Sequence, residues 1–440
     1  KSLWAHNMFK KRFLILILFF NIALNANDNS ISVNYSNSLF KEELIPIQNY
    51  NNNGVQLSSG TFLTDYTLEK NNFKFFTSSY FSKDEFHLHK FGALIFFKNT
   101  YLNIGKVPLY RFSENNYILS NNADPFFKFE VGNNKKIENN FFKFEYYFLV
   151  GKLNSQNKYL FDQNYQTQRS DKYIDAPYLH SKNFNFVFEL KKEKEIEIGF
   201  THGAMFGGTI LRGNNKISPR NNLRALGDVV ILRTNTYQNY DINGEGNHVG
   251  SWNFRYRSEG NFDIFFNKMF DDKSGFLFKN NFDGVLGINS LKKNNFNLLY
   301  IQTTDQSGEK HPPGIDSYYW HHVYTYGWRS NGFSLGLPFI FPDNNRKKIF
   351  KIGFSNDKNF EVNIFRINEF NYYGDKGDES GISINHNKIN KKTIYFILDY
   401  NHSLKNIDIE HSIGFEKTGK KNNNFNNVSY VIKLKKEIQF

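Results

Sequence analysis

The chain of 440 residues contains no cysteine. That absence excludes disulfides, a lipid-modified N-terminal cysteine, thiolate metal sites and a cysteine nucleophile. Long apolar runs are nearly absent too. The one continuous stretch, Phe13 to Leu24 interrupted at Asn21, is about twelve residues, short of the roughly twenty that a spanning helix needs. With a mean hydropathy of −0.58, the sequence is not that of a helical membrane protein. No segment keeps a 3.6-residue apolar period between helix caps. No shift in composition marks a domain boundary, and no repeat rises above a generic hairpin. Zinc-ligand spacings and a Gly-x-Ser-x-Gly elbow are both missing. The chain is therefore read as a non-enzyme, with no catalytic residue, cofactor or metal assigned.

What is present begins with an export pattern. Lys10, Lys11 and Arg12 precede the apolar run, and Leu24-Asn25-Ala26 fits a cleavage site. Met8 reads as the initiator, residues 1–26 as upstream residues plus a cleaved signal peptide, and residues 27–440 as a single domain. Aromatic residues make up 18% of the chain, which suits both membrane-interface girdles and sugar-binding surfaces. The formal charge of +13 fits a basic lumen that attracts an anionic polymer. It fits equally the Lys and Asn codons of an AT-rich genome. An exported chain with no recognisable binding motif is not expected to meet nucleic acid.

Period-two alternation recurs along the mature sequence. Phe142, Phe144, Tyr146, Phe148 and Val150 share a face, as do Phe184, Phe186, Phe188 and Leu190, and Ile394, Phe396, Leu398 and Tyr400. Asn-, Asp- and Lys-rich turns such as Asn133-Asn134-Lys135-Lys136 separate such runs, a hairpin pattern. Val428 to Phe440 alternates in the same way and ends on an aromatic residue. A long terminal strand is hazardous as an exposed edge; in a barrel it pairs with the first strand. The spacing predicts an all-β fold, a transmembrane antiparallel β-barrel of the outer membrane with about 18 strands. Side chains of such a wall do not fill its lumen, so loops, a plug or water must.

Four stretches break the alternation: residues 117–130, 173–209, 244–288 and 300–342. The first contains Ile118-Leu119-Ser120-Asn121-Asn122-Ala123-Asp124-Pro125. The second runs from Asp175-Ala176-Pro177-Tyr178-Leu179-His180 to Thr201-His202-Gly203-Ala204-Met205-Phe206-Gly207-Gly208. The third holds Gly246-Asn247-His248-Val249-Gly250-Ser251-Trp252, Phe270-Asp271-Asp272-Lys273-Ser274-Gly275 and Phe282-Asp283-Gly284. The fourth runs from Thr304-Asp305-Gln306 through Asp316-Ser317-Tyr318-Tyr319-Trp320-His321-His322 to Gly327-Trp328. In order and spacing these resemble the Wzi family of capsule-assembly outer-membrane proteins, in the version typical of Bacteroidetes. The resemblance implies a lectin-like barrel that binds capsular polysaccharide at the cell surface and helps the capsule attach, without catalysis. Founding members resemble an 18-stranded barrel plugged by an N-terminal helical bundle. Residues 27–61 here are Asn-rich with no helical period, so a loop plug or short strands are expected instead.

Rings and guanidinium groups cover the apolar faces of sugars while their polar tips bind hydroxyls. The candidates of this kind are Tyr318, Tyr319, Trp320, His321, His322, Trp328 and Arg329, with Asp316 beside them. The same cluster would also serve as an interface girdle. Arg255 and Arg257 alternate with Trp252, Phe254 and Tyr256, so they should face the lumen. There they could bind acidic groups of a polysaccharide or pair with wall carboxylates such as Asp263. Asp272 and Asp305, in expected loops, could bind sugar hydroxyls. Expected partners are capsular or related surface polysaccharide, outer-membrane lipid and other capsule-export components. The alternative reading is a porin-like channel for oligosaccharides or small solutes.

Overall fold

The structure is a computed structural model that describes residues 29–38, 61–81, 86–110, 116–133, 137–155, 173–212, 221–231, 246–307, 317–371 and 389–439. Short breaks fall inside these ranges at 121, 139–141, 192, 259, 272, 291–294, 322–323, 325, 343, 357–358, 405–406 and 421–422. The export segment lies outside the described residues.

Among the described residues nineteen strands form one sheet. In order they begin β1 (Asn29–Ser38), β2 (Thr61–Lys70), β3 (Phe73–Phe81), β4 (Phe86–Phe97), β5 (Thr100–Lys106), β6 (Phe127–Asn133), the two-residue β7 (Ile137–Glu138) and β8 (Lys143–Lys152). After a short β9 (Tyr173–Asp175), which pairs only with β12 (Thr209–Arg212), come β10 (Tyr178–Lys191), β11 (Lys194–Phe206) and β13 (Asn247–Ser258). Then follow β14 (Phe262–Phe270), β15 (Gly284–Ser290) and β16 (Asn295–Gln302). A small hairpin of β17 (Arg329–Ser330) and β18 (Phe333–Ser334) stands apart from the sheet. The last are β19 (Lys347–Ser355), β20 (Phe360–Phe370), β21 (Ile389–Leu404), β22 (Ile407–Lys420) and β23 (Asn423–Gln439).

Within the sheet every strand pairs antiparallel with its neighbours in chain order, except that β6 passes over the two-residue β7 and both pair with β8. β23 then pairs with β1, Ser30 opposite Gln439 and Ser38 opposite Val431. The line of pairings so returns to its first strand, which removes the edge that the closing sequence would otherwise expose.

The alternation read from the sequence sorts as a barrel requires. Phe184, Phe186, Phe188, Phe254, Phe350, Ile352, Phe354, Ile394, Phe396, Phe415 and Val428 are exposed, while Val187, Leu149, Leu299, Ile349, Phe365, Tyr395, Ile397 and Val431 on the other face are buried. Large apolar side chains exposed outside and a buried inner face invert the soluble pattern and make a lipid-facing wall. The two ends of the wall differ. At one end turns are tight, with Asn71, Lys98 and Gly260 at positive φ. At the other end β5 and β6, β8 and β10, β11 and β13, β14 and β15, β16 and β19, and β20 and β21 are joined by long connections. All four unusual stretches reach that second end.

Candidate functional site

The long connections turn inward. Residues 117–126 and 318–340 share one hydrophobic cluster with inward-facing wall residues, among them Leu149, Leu179, Met205, Val249, Met269, Val285 and Ile301. An inward Gly203 makes room: a Cβ there would lie 2.7 Å from Ile118 and 3.1 Å from the Trp328 ring. The β17–β18 hairpin turns through Asn331 and Gly332, at φ 49° and 85°, the positive-φ pair that a tight two-residue hairpin demands.

Hydrogen bonds stitch the first and fourth stretches together. Ser120 N–H donates to Leu335 O at 2.8 Å, and the Ser120 hydroxyl to Gly336 O at 2.6 Å. Asn122 Nδ2 donates to Ser334 O at 2.8 Å, and Trp328 Nε1 to Ile118 O at 2.6 Å. The Tyr117 and Tyr319 rings stack at 4.8 Å. The Tyr319 hydroxyl donates to Tyr117 O and accepts from Leu337 N–H at 2.9 Å.

Three carboxylates tie this plug to the wall. Asp271 accepts from the Tyr117 hydroxyl and, at 2.6 Å, from Tyr319 N–H. Asp283 accepts from Asp305 N–H at 3.0 Å, Gln306 N–H at 2.7 Å and the Tyr318 hydroxyl at 2.9 Å. Asp124 meets His89 Nδ1 at 2.9 Å, Lys106 Nζ at 2.9 Å and Asn331 Nδ2 at 2.9 Å. Burial raises the Asp283 carboxyl to about 6 despite its three donors. It also raises the Tyr117 and Tyr319 hydroxyls well above the ordinary tyrosine value, with the nearby Asp271 charge adding to the effect. Asp305 is raised as well, again by burial first.

The candidate residues separate into groups. Tyr318, Tyr319 and Trp328 have no exposed surface; their rings face protein, so they hold the plug and offer no platform to a polymer. Arg329 is buried, with its guanidinium 5.1 Å from the Phe341 ring and 5.8 Å from the Tyr326 ring. His321 is buried against Tyr324. Trp320 and Asp305 are only half-buried. Asp272, Asp316 and His322 lie outside the described residues. Arg255 and Arg257 do face the lumen, but beside the tight Ser258–Phe262 turn, at the end opposite the plug's connections. Arg255 is held by Asp263 at 2.7 Å and 2.5 Å, and Arg257 lies 3.8 Å from Glu195. The wall-pairing alternative therefore describes Arg255, and neither arginine shares a site with the Trp320 segment.

The family model for capsule assembly protein Wzi matches residues 33–415. The chain belongs to that family. As a Wzi-family member it is an outer-membrane β-barrel of capsule assembly. Its structure is similar to that of Escherichia coli Wzi, an outer-membrane protein described as a carbohydrate-binding β-barrel involved in group 1 capsule assembly. The two are 14% identical and superpose with a TM-score of 0.59 over 97% of this chain and 87% of that one. Pseudomonas aeruginosa OpdQ is 9% identical, with a TM-score of 0.43 over 93% of this chain and 97% of its own. Acinetobacter baumannii OccAB4 is 10% identical, with a TM-score of 0.43 over 94% and 97%. A comparison with curated protein sequences gives no match.

Among the plug residues, Tyr117, Asp124, Asp271, Asp283 and Asn345 carry roles that composition alone does not mark. Asn345 Nδ2 donates to Tyr318 O at 3.1 Å, and its Oδ1 accepts from Gln306 Nε2 at 2.9 Å. The sequence signal for Tyr117, Asp124, Asp271 and Asp283 was the family-like order of the stretches; Asn345 lies just beyond the last of them. No residue type in this group separates a buried anchor from an exposed ligand.

Proposed function

We propose that this Wzi-family barrel is non-catalytic and holds capsular or related surface polysaccharide at the long-connection end, helping the capsule attach to the outer membrane. The observation that carries the reading is the filled interior. Residues 117–126 and 318–340 pack into the wall as one cluster, an arrangement suited to presenting a fixed surface and unsuited to an open solute channel. Trp320 and Asp305 retain surface there and are proposed as polymer contacts, together with Asp316 and His322, sequence neighbours of Trp320, and with Asp272. A half-buried indole supplies a flat apolar face, and a carboxylate accepts hydrogen bonds from hydroxyls. The carbohydrate binding described for the Escherichia coli relative supports the same assignment. The other capsule-export components are proposed partners of this assembly.

The test is the partition of polysaccharide in a deletion strain. Attachment predicts unchanged total polymer that moves from the cell surface to the medium, and Trp320→Ala and Asp305→Asn variants that restore retention only in part. Unchanged partition in the deletion strain would refute the reading.

A further inference from the structure

The outer face of the wall carries a second, unrelated feature. Strands β19 to β22 each place one cation on the exterior near the long-connection end: Lys348, Arg366, Lys392 and Lys417. Their outward direction follows from alternation. Each shares its face with exposed Phe350, Ile364, Ile394 or Phe415, while the intervening Ile349, Phe365, Ile367, Tyr395 and Ile397 are buried.

The registers make the four a zigzag. Lys348 and Lys392 flank Asn368 in one row. In the next row Arg366 stands between Phe350 and Ile394, and Ile394 is followed by Lys417. Neighbouring strands lie about 4.8 Å apart, so the row spans about 14 Å from β19 to β22. No carboxylate occupies the outward face of these four strands among the described residues. Among the described residues none of the four cations is in an ion pair, and Lys348 lies over the Phe370 ring at 5.8 Å. Other outward lysines near this end are occupied differently. Lys152 lies over the Tyr178 ring at 5.7 Å, Lys182 donates to Val230 O and Lys268 to Asn281 O.

Beneath the cations the same strands present the exposed apolar side chains Ile352, Ile364, Phe396 and Phe415, with stacked Tyr400, His402 and His411 lower on the same face. At the tight-turn end they present Phe354, Phe360, Leu404 and Ile407. A row of cations directly above a lipid-facing band sits at headgroup height, and long basic side chains reach such a level readily. We infer that Lys348, Arg366, Lys392 and Lys417 form a docking site for a phosphorylated glycolipid of the outer leaflet, whose acyl chains lie along β19–β22. Arg366 can hold a phosphate through two parallel N–H donors, and the lysines add charge on either side. A span of about 14 Å seats a disaccharide headgroup with a phosphate at each end. This rests on the outer-membrane placement and not on polysaccharide binding, so either can fail alone.

The test uses the full-length barrel in neutral detergent, titrated with bisphosphorylated lipid A, its dephosphorylated form and phosphatidylglycerol, with bound lipid read by native mass spectrometry. Bisphosphorylated lipid A should bind best, and the Lys348→Gln, Arg366→Gln, Lys392→Gln, Lys417→Gln combination should weaken it about tenfold or more. Lys152→Gln should leave it unchanged, and replacing the three lysines with arginine should retain it. Equal binding of the phosphorylated and dephosphorylated forms by the unaltered protein overturns the site, whether or not the fourfold variant folds. So does equal binding of phosphatidylglycerol, or a folded fourfold variant that binds as before. Polysaccharide partition, measured on the same variant in cells, should stay normal.

Discussion

At the scale of single residues, the chemistry is decided by which side of a ring or carboxylate meets protein. Tyr318, Tyr319 and Trp328 look like sugar platforms in the sequence and are fully enclosed in the structure. Their hydrogen-bonding ends point at the Asp283 carboxylate, Tyr117 O and Ile118 O. Asp283 gives this a measurable consequence. Burial raises its carboxyl from 3.8 to about 6, so the folded state holds a proton that the unfolded state has already released. The stability this proton brings is complete below pH of about 4 and is lost as pH rises through about 6. Asp283→Asn should flatten that part of the profile. From pH 4 to about 6 the melting temperature of the unaltered protein should fall relative to that of Asp283→Asn, and above that window the two curves should run parallel; parallel curves throughout would remove Asp283 as the cause. The position was legible as part of a family-like stretch. Its protonation was not, because it is set by burial under segments distant in sequence, which outweighs the opposing donors from Tyr318 and the 305–306 backbone.

At the scale of elements, strands were the easy part. Alternation such as Phe184, Phe186, Phe188 against Val187 has a period that any four residues display, and the closing strand pairs with β1 as its pattern demands. The helix α1 (Leu223–Val230) was missed. Eight residues give barely two turns, too few for a 3.6-residue period to stand out. What fixes it is tertiary: Ala225 and Val229 bury against Ala204 and Phe206, with Tyr178 packed alongside. The outward alternation of β11 places this contact on the outer face of the wall. Asn222 caps the helix, its Oδ1 accepting from Ala225 N–H at 2.9 Å, and Lys182 donates to Val230 O at the other end. Asn222→Ala should cost the helix about 1 kcal/mol, and Val229→Asp should detach it by burying a charge against the wall. Limited proteolysis should then cut within residues 223–231 while the barrel keeps its heat-resistant mobility on gels. Cleavage no faster than in the unaltered protein would mean that other contacts hold the helix.

At the scale of the whole molecule, the question is what a wide wall does with its interior. The sequence predicted a filled lumen because side chains of the wall alone fall short, and it placed the filling in loops because residues 27–61 lack a helical period. The structure draws β1 from that segment into the wall and fills the interior from residues 117–126 and 318–340. Which loop packs against which was beyond sequence reading, since Ser120 and Leu335 meet across more than two hundred residues. The plug is held by many modest bonds to two stretches, so its removal should be graded. Trp328→Ala deletes the ring seated on Gly203 and the bond to Ile118 O, a loss of about 3–5 kcal/mol by large-to-small core precedent. Replacing residues 329–334 by a glycine-serine linker removes the hairpin and with it the Asn122 and Asn331 contacts. In planar bilayers the unaltered barrel should show no steady conductance, Trp328→Ala brief openings, and the hairpin replacement a sustained one. Steady conductance by the unaltered protein would restore the channel reading. Silence from all three would place the seal in a part of the plug other than the hairpin, with the Tyr117–Asp271–Tyr319 linkage the next to break.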